Sequence, residues 1–241
     1  MRRVLAGGDP GWQHLWEKSE SGRAAWLTYW GFATGRRIGE LEIALRIVQQ
    51  EEALYLELGN KDGLQRSYGN QALILRAWGR LEEAMALLKK QEALCLELGN
   101  KNGLGASYAN QALILQAWGR REEAFELHKK EEALCLELGN KDGLQRSYGN
   151  QAFILQDWGR LEEAFELFKK KEGLCLELSN RSSLAYCYWA WGLLAREQRD
   201  RNTEREKLAA ALDIFTELNM TWERDQVRAE LEKTAAADRA A

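Results

Sequence analysis

Between Lys61 and Asn100 the apolar residues fall at steps of three and four. Leu64, Tyr68, Ala72, Leu75 and Trp78 form one stripe, and Leu81, Ala84, Leu87, Leu88, Leu94, Cys95 and Leu98 form a second. That spacing puts each set on one face of an α-helix. Gly79-Arg80 breaks the pattern between them, and Gly99-Asn100 ends the second stripe with residues suited to a left-handed C-cap. Two amphipathic helices joined by two residues make an antiparallel hairpin, the second helix about 27 Å long at about 1.5 Å per residue. Asp62 stands where it can cap the first helix, as Asn102 and Asp142 do further along.

The same pattern returns without a gap at 101–140 and 141–180, so 61–100 is the first of three close copies with a period of 40 residues. One hairpin cannot bury both its stripes, so the copies must stack. A degenerate copy is read at 21–60, where Trp26, Tyr29 and Trp30 replace polar residues of the first helix. Another at 181–220 starts with Leu184 and Tyr188 and then drifts, with Gln198 where Trp78 stands and Glu204 where Ala84 stands. Residues 1–20, with the turn cluster Gly7-Gly8-Asp9-Pro10-Gly11 followed by Trp12, Leu15 and Trp16, read as an N-terminal capping segment. Residues 221–241 read as a C-terminal capping helix, with Trp222, Val227 and Leu231 inward and a frayed tail after Thr234. The expected architecture is all-α: a right-handed α-solenoid of stacked antiparallel helix hairpins, about five repeats plus terminal capping helices.

Composition narrows the function classes. Leu, Ala, Glu, Lys, Arg and Gln dominate and Pro10 is the single proline, which suits helices throughout. The net charge is −3 with acids and bases mixed, so no basic stripe is offered to nucleic acid or to an anionic membrane. No apolar run is long enough for a signal peptide or a membrane span, and the expected location is the cytoplasm. Cys95, Cys135 and Cys175 share one repeat position, held by Tyr55 in the preceding copy, and Cys187 stands apart. They are expected to be small packing residues. His14 and His128 have no partners at metal-ligand spacing, no glycine-rich phosphate loop follows a strand, and neither enzyme activity nor a cofactor is expected. Glu126 with Lys130 and Glu166 with Lys170 read as i,i+4 pairs on solvated faces. Trp78, Trp118 and Trp158 read as packing between repeats, and the cluster of Trp12, Trp16, Trp26 and Trp30 as a cap or a partner surface.

The motif Gly-Arg-Leu-Glu-Glu-Ala at 79–84 recurs at 159–164, and with one change at 119–124, alongside small Ala72, Ala112 and Ala152. On these residues the chain resembles the tetratricopeptide repeat family over roughly 22–220, in the extended form found in kinesin light chain and bacterial signalling proteins. It departs from the pattern at Tyr68, where the family usually has Trp, in lacking a closing proline, and at Gln91, Glu131 and Lys171, which replace a late small residue. The resemblance implies a protein-binding array whose first helices line a concave groove.

Opposite the packing stripe of the first helix run Arg66, Gly69, Asn70, Leu73, Arg76 and Ala77. Glycine inside a helix costs about 0.5–1 kcal/mol relative to alanine, yet Gly69 and Gly149 sit in mid-helix, which suggests that something there needs space. Beside them come Asn70, Asn110 and Asn150, poor helix formers whose amides can donate to and accept from one peptide unit. With first helices stacked about 10 Å apart, an extended peptide rising about 3.3 Å per residue meets one asparagine every three residues. Asparagine rows of this kind occur in kinesin light chain and in adaptor repeats with a Gly-Asn-Leu-Gly motif, which residues 69–72 and 149–152 resemble. Leu73, Leu113 and Phe153 would supply an apolar floor, and Arg66, Arg146 and Arg76 favour acidic character in the ligand, with Gln116 and Gln156 at the Arg76 position in the later copies. The expectation is a non-enzymatic adaptor holding an extended peptide through this row. Two alternatives stand beside it: a scaffold or sensor arm of a larger bacterial signalling or defence system, contacting partners by its ends and Trp-rich N-terminus, or a spacer without ligand. Self-association through the solenoid ends is compatible with each.

Overall fold

The structure is a computed structural model that describes residues 41–240, with side chains to residue 235. The expected N-terminal segment, the first helix of the copy at 21–60 and the tryptophans at 12, 16, 26 and 30 lie outside the described residues. Ten helices follow one another among the described residues. They are α1 (Leu41–Glu57), α2 (Lys61–Ala77), α3 (Leu81–Leu98), α4 (Lys101–Ala117), α5 (Arg121–Leu138), α6 (Lys141–Asp157), α7 (Leu161–Glu177), α8 (Arg181–Glu197), α9 (Arg201–Glu217) and α10 (Thr221–Ala240). The chain divides into two compact units, Met1–Arg120 and Arg121–Ala241. The first unit carries α1–α4 and the second α5–α10. In each unit helices adjacent in sequence pack on one another, and in the first α2 also touches α4.

The connections are short because each is closed by backbone geometry. Gly79, Gly119 and Gly159 adopt φ of 79, 74 and 70°, and Gly59, Gly99 and Gly139 adopt 61, 64 and 64°, a left-handed region that penalises any Cβ. A new helix starts immediately after the second kind of turn, and its cap is the asparagine that follows the glycine. The side-chain oxygens of Asn60, Asn100 and Asn140 each accept from the backbone N–H three residues on, at Gly63, Gly103 and Gly143, over 2.9 Å. The expected caps Asp62, Asn102 and Asp142 are therefore corrected by two positions. Asp62 instead accepts from Gln65 and pairs with Arg66 at 3.3 Å.

Glycine serves close approach at a second set of positions. A Cβ on Gly63 would lie 2.3 Å from the Tyr55 ring, and one on Gly103 or Gly143 would lie 2.6 or 2.5 Å from the sulfur of Cys95 or Cys135. The four cysteines are buried free thiols, so their role is packing. Burial pushes the thiol of Cys95 up to about 11 and that of Cys187 up to about 12.

The core is built from one side chain per hairpin at a fixed register and its neighbours. Val48, Leu88, His128, Phe168 and Leu208, successive in steps of 40, are all fully buried. In the first unit Leu88 packs with Leu45, Ala72, Leu75, Ala84 and Ile114. In the second Phe168 packs with Ala152, Leu155, Ala164, Cys187 and Trp191. His128 satisfies its Nδ1 on Glu131 at 2.9 Å. A polar ladder joins each second helix to the next first helix. The hydroxyls of Ser67, Ser107 and Ser147 donate to the carbonyls of Val48, Leu88 and His128, and Gln71, Gln111 and Gln151 donate to Glu52, Glu92 and Glu132.

Several expected contacts form differently. Leu98 is exposed together with Leu96, at a helix end that extends past the core. Trp78 is 41 % exposed, and its ring is covered by the Arg80 guanidinium at 4.9 Å, across the glycine turn. Trp118 and Trp158 do pack against the core clusters. Glu166 pairs with Lys169 at 3.0 Å, while Lys170 lies over the Tyr148 ring. In α10 Val227 is fully buried and Leu231 packs on the same cluster, but Trp222 is 65 % exposed, edge-on to Trp189.

Candidate functional site

The first unit holds a cleft of about 850 Å³ on the first-helix side, lined from α2 by Gln65, Arg66, Gly69, Asn70 and Leu73 and from α4 by Asn102, Gly103, Ala106 and Asn110. Glu51 and Tyr55 of α1 and Gln91 of α3 also line it, with the cap residues Asn60 and Asn100. Five predicted residues, Arg66, Gly69, Asn70, Leu73 and Asn110, thus share one concavity. Asn70 is half-buried, and among the described residues its amide makes no hydrogen bond. Asn110 is engaged within the fold: its nitrogen donates to the Ala106 carbonyl at 3.0 Å and its oxygen accepts from Arg76 at 3.3 Å. Burial holds the Arg76 guanidinium below its ordinary range. Arg66 is tied to Asp62. Leu113 and Gln116 of α4 are half-buried and do not line the cleft.

In the second unit Arg146 lines a smaller cleft of about 530 Å³ with Asp142, Gln145, Asn180, Ser182, Ser183 and Tyr186. Asn150 is half-buried and, among the described residues, makes no side-chain hydrogen bond. Phe153 is about half exposed, with its edge on Phe168 at 5.9 Å between centroids. Gln156 donates to Glu197 at 2.6 Å.

The space expected at the mid-helix glycines is used by the fold itself. A Cβ on Gly69 would come within 2.7 Å of the Gln91 amide nitrogen, and one on Gly149 within 2.9 Å of the Lys171 ammonium. Both glycines are buried, Gly69 at the wall of the cleft. Sequence reading missed Asn60, Asn100, Asn102, Gln65, Gln91, Glu51 and Tyr55 as cleft residues. A usable signal was position 91, one of the few that carry a different residue, Gln, Glu or Lys, in each of the three copies.

Polar groups of the cleft are oriented by a relay. Asp62 offers only acceptors, so the Gln65 amide turns its nitrogen to it. The Gln65 oxygen then accepts from Gln91 at 3.4 Å and from the Cys95 thiol at 3.3 Å. Gln91 consequently points its own oxygen away from Gln65, and that buried oxygen has no hydrogen-bond partner among the described residues. A buried acceptor left unbonded costs about 1–3 kcal/mol. Among the described residues no three His, Cys, Asp or Glu side chains converge as metal ligands, and no helix is long and apolar enough to cross a membrane.

Residues 65–97 match the tetratricopeptide repeat family. No curated protein matches the chain in sequence. The chain is similar to the structure of a Signal Transduction ATPase with Numerous Domains protein with a tetratricopeptide repeat sensor, from Pyrococcus horikoshii. Identity is 14 %, the TM-score 0.77, and the match covers 94 % of this chain and 34 % of that one. It is similar to a Rap protein complexed with competence and sporulation factor at 14 % identity and a TM-score of 0.67, over 91 % of this chain and 66 % of that one. The nearly identical repeats of a putative kinesin light chain from Podosopora anserina match at 20 % identity and a TM-score of 0.60, covering 83 % and 98 %. At such identities the likeness is one of fold. The resemblance to tetratricopeptide repeats holds in sequence over 65–97 and in fold as stacked helical hairpins.

Proposed function

With a tetratricopeptide fold as the premise, we propose that the protein is a non-enzymatic interaction adaptor that holds an extended segment of a protein partner in the cleft between α2 and α4. The observation that carries this reading is the gathering of Asn60, Asn70, Asn100, Asn102 and Asn110 around one cleft. Side-chain amides both donate and accept, so they can replace the water around a peptide backbone whatever its sequence. Asn70 brings both groups, while Asn110 exchanges its contact with Arg76 for the ligand. In the second unit Asn150, Arg146 and Phe153 are proposed as further contacts of the same kind. The Rap structure, a complex with competence and sporulation factor, supports a ligand-holding role for this type of array. Of the arginines expected to favour acidic character in the partner, Arg66 and Arg76 are engaged by Asp62 and Asn110, which leaves Arg146 to supply it. Four free buried thiols suit a reducing compartment, in line with a cytoplasmic location.

The triple change of Asn70, Asn110 and Asn150 to Ala tests the reading. Helical melting is expected to stay nearly unchanged, while capture of partners from a lysate of the native host falls at least several-fold. Undiminished capture would overturn it. The sensor repeats of the Pyrococcus protein favour a second reading, in which the array is an arm of a larger signalling protein and binds by its ends. Under that reading removal of residues 1–30 abolishes association and the asparagine changes leave it intact.

A further inference from the structure

One register position of the first helices lines a cleft in each unit and is filled unequally. It holds Arg66, Ala106, Arg146 and Tyr186, successive in steps of 40. In the first unit Arg66 stands on the α2 wall of the cleft and Ala106 on the α4 wall. In the second unit Arg146 stands on the α6 wall and Tyr186 on the α8 wall. The cleft with the alanine measures about 850 Å³ and the one with the tyrosine about 530 Å³. Tyr186 is held in place by its neighbours. Its ring stacks on Trp189 at 6.5 Å between centroids and meets Phe215 edge-on at 5.1 Å, and its hydroxyl donates to Glu223 at 2.7 Å. The second unit thus sets an aromatic ring of its own in the cleft wall at the position that the first unit leaves to a methyl group.

Arg66 indicates what the open wall can take. Its guanidinium is paired with Asp62 at 3.3 Å and more than half exposed, so its charge is offset while it still lines the cleft. A guanidinium balanced by a carboxylate keeps a flat face that stacks on a ring. This chain uses that pairing in every close copy: Arg80 lies over Trp78 at 4.9 Å, Arg120 over Trp118 at 6.0 Å and Arg160 over Trp158 at 5.8 Å. Leu73 adds an apolar side chain to the same cleft. Resting on the groove reading above, we propose that the first-unit cleft is a subsite for one aromatic side chain of the bound segment, which lies between Arg66 and Ala106 beside Leu73. Ala106 determines the preference, because a larger residue there takes up the room. An aliphatic side chain would gain the contact with Leu73 but leave the guanidinium face bare, and an acidic one would compete with Asp62 for Arg66.

The test uses the full chain and a series of fluorescently labelled, extended, otherwise uncharged peptides that differ at one central residue: tryptophan, tyrosine, phenylalanine, cyclohexylalanine, glutamate or alanine. Anisotropy titrations are run on the native protein and on Ala106→Tyr, Ala106→Arg and Asn70→Ala. The two changes at 106 install residues that the same register already carries at 186 and at 66 and 146, and circular dichroism melts confirm that each variant folds. The aromatic peptides are expected to bind about tenfold more tightly than the alanine peptide. Phenylalanine is expected to exceed cyclohexylalanine, which resembles it in size but has no π face, by about threefold. Ala106→Tyr and Ala106→Arg remove the aromatic margin with little effect on the alanine peptide, and Asn70→Ala weakens all peptides alike. If Asn70→Ala weakens binding but the aromatic peptides show no advantage, cyclohexylalanine equals phenylalanine, glutamate binds best, or the changes at 106 leave the margin intact, the subsite is refuted and the groove reading stands. If no peptide binds, or Asn70→Ala weakens none, the groove reading falls and the subsite with it.

Discussion

Arg199 occupies the turn position held by Gly79, Gly119 and Gly159 and adopts the same left-handed backbone, with φ of 62°. A Cβ in that region costs about 1–2 kcal/mol, of which glycine recovers part after its greater unfolded-state freedom is counted. Arg199→Gly is expected to stabilise the second unit by about 1 kcal/mol, read as a higher urea midpoint. Asn219, at φ 55°, tolerates the region better, and its replacement by glycine should gain less. At this scale the sequence was partly legible. The glycine turns and the buried cysteines stood in the pattern, because each imposes a steric demand visible in one residue type. The caps did not: Asn100 looks like the end of one helix, and only the lack of any linker makes it the start of the next. Gln91 was equally hidden, since the direction of an amide depends on Asp62 and Gln65 on another helix.

At the scale of the element, the three helices α8, α9 and α10 are joined where the repeat has lost its alanine. Glu204, fully buried, takes the place of Ala84, Ala124 and Ala164 and binds Arg196 at 2.6 Å, Arg201 at 2.9 Å and the Thr234 hydroxyl at 2.7 Å. Arg196 continues to Glu230 of α10 at 2.6 Å. Burial alone would raise the Glu204 carboxyl, but hydrogen bonds from Thr234, Arg196 and Arg201 outweigh it and hold it below its ordinary 4.5. Hydrogen bonds from Lys233 and Arg196 lower Glu230 as well, against an opposing effect of burial. A depressed carboxyl stabilises the fold fully above its unfolded value and loses that contribution as pH drops through its folded one. Unfolding midpoints of the second unit should therefore hold from neutrality to about pH 5 and fall below it. Glu204→Gln is expected to cost about 1–3 kcal/mol at neutral pH and to flatten the acid limb, both measurable by urea titration across pH. The sequence marked Glu204 as a departure from the repeat, but besides Arg201 on its own helix its partners Arg196 and Thr234 come from two other helices and could not be read from periodicity.

Across the whole molecule, helix order and the burial of one stripe per helix were legible because a faithful period repeats the same packing problem and the same answer. What the period conceals is identity. Copies this alike offer one another's surfaces as docking sites, so a growing chain could pair a helix with the wrong neighbour at little energetic cost. The fully buried register position resists this, since each of Val48, Leu88, His128, Phe168 and Leu208 differs in size or polarity from the one in the hairpin before it, Leu alone occurring twice. A seat shaped for leucine loses about 1–3 kcal/mol when it must hold a larger ring, and one shaped for phenylalanine is left with a cavity by anything smaller. A chain with leucine at all five positions should keep its helical content yet refold through additional slow phases in stopped-flow fluorescence. Those side chains act as address labels, by which parts that look interchangeable are assembled in one order.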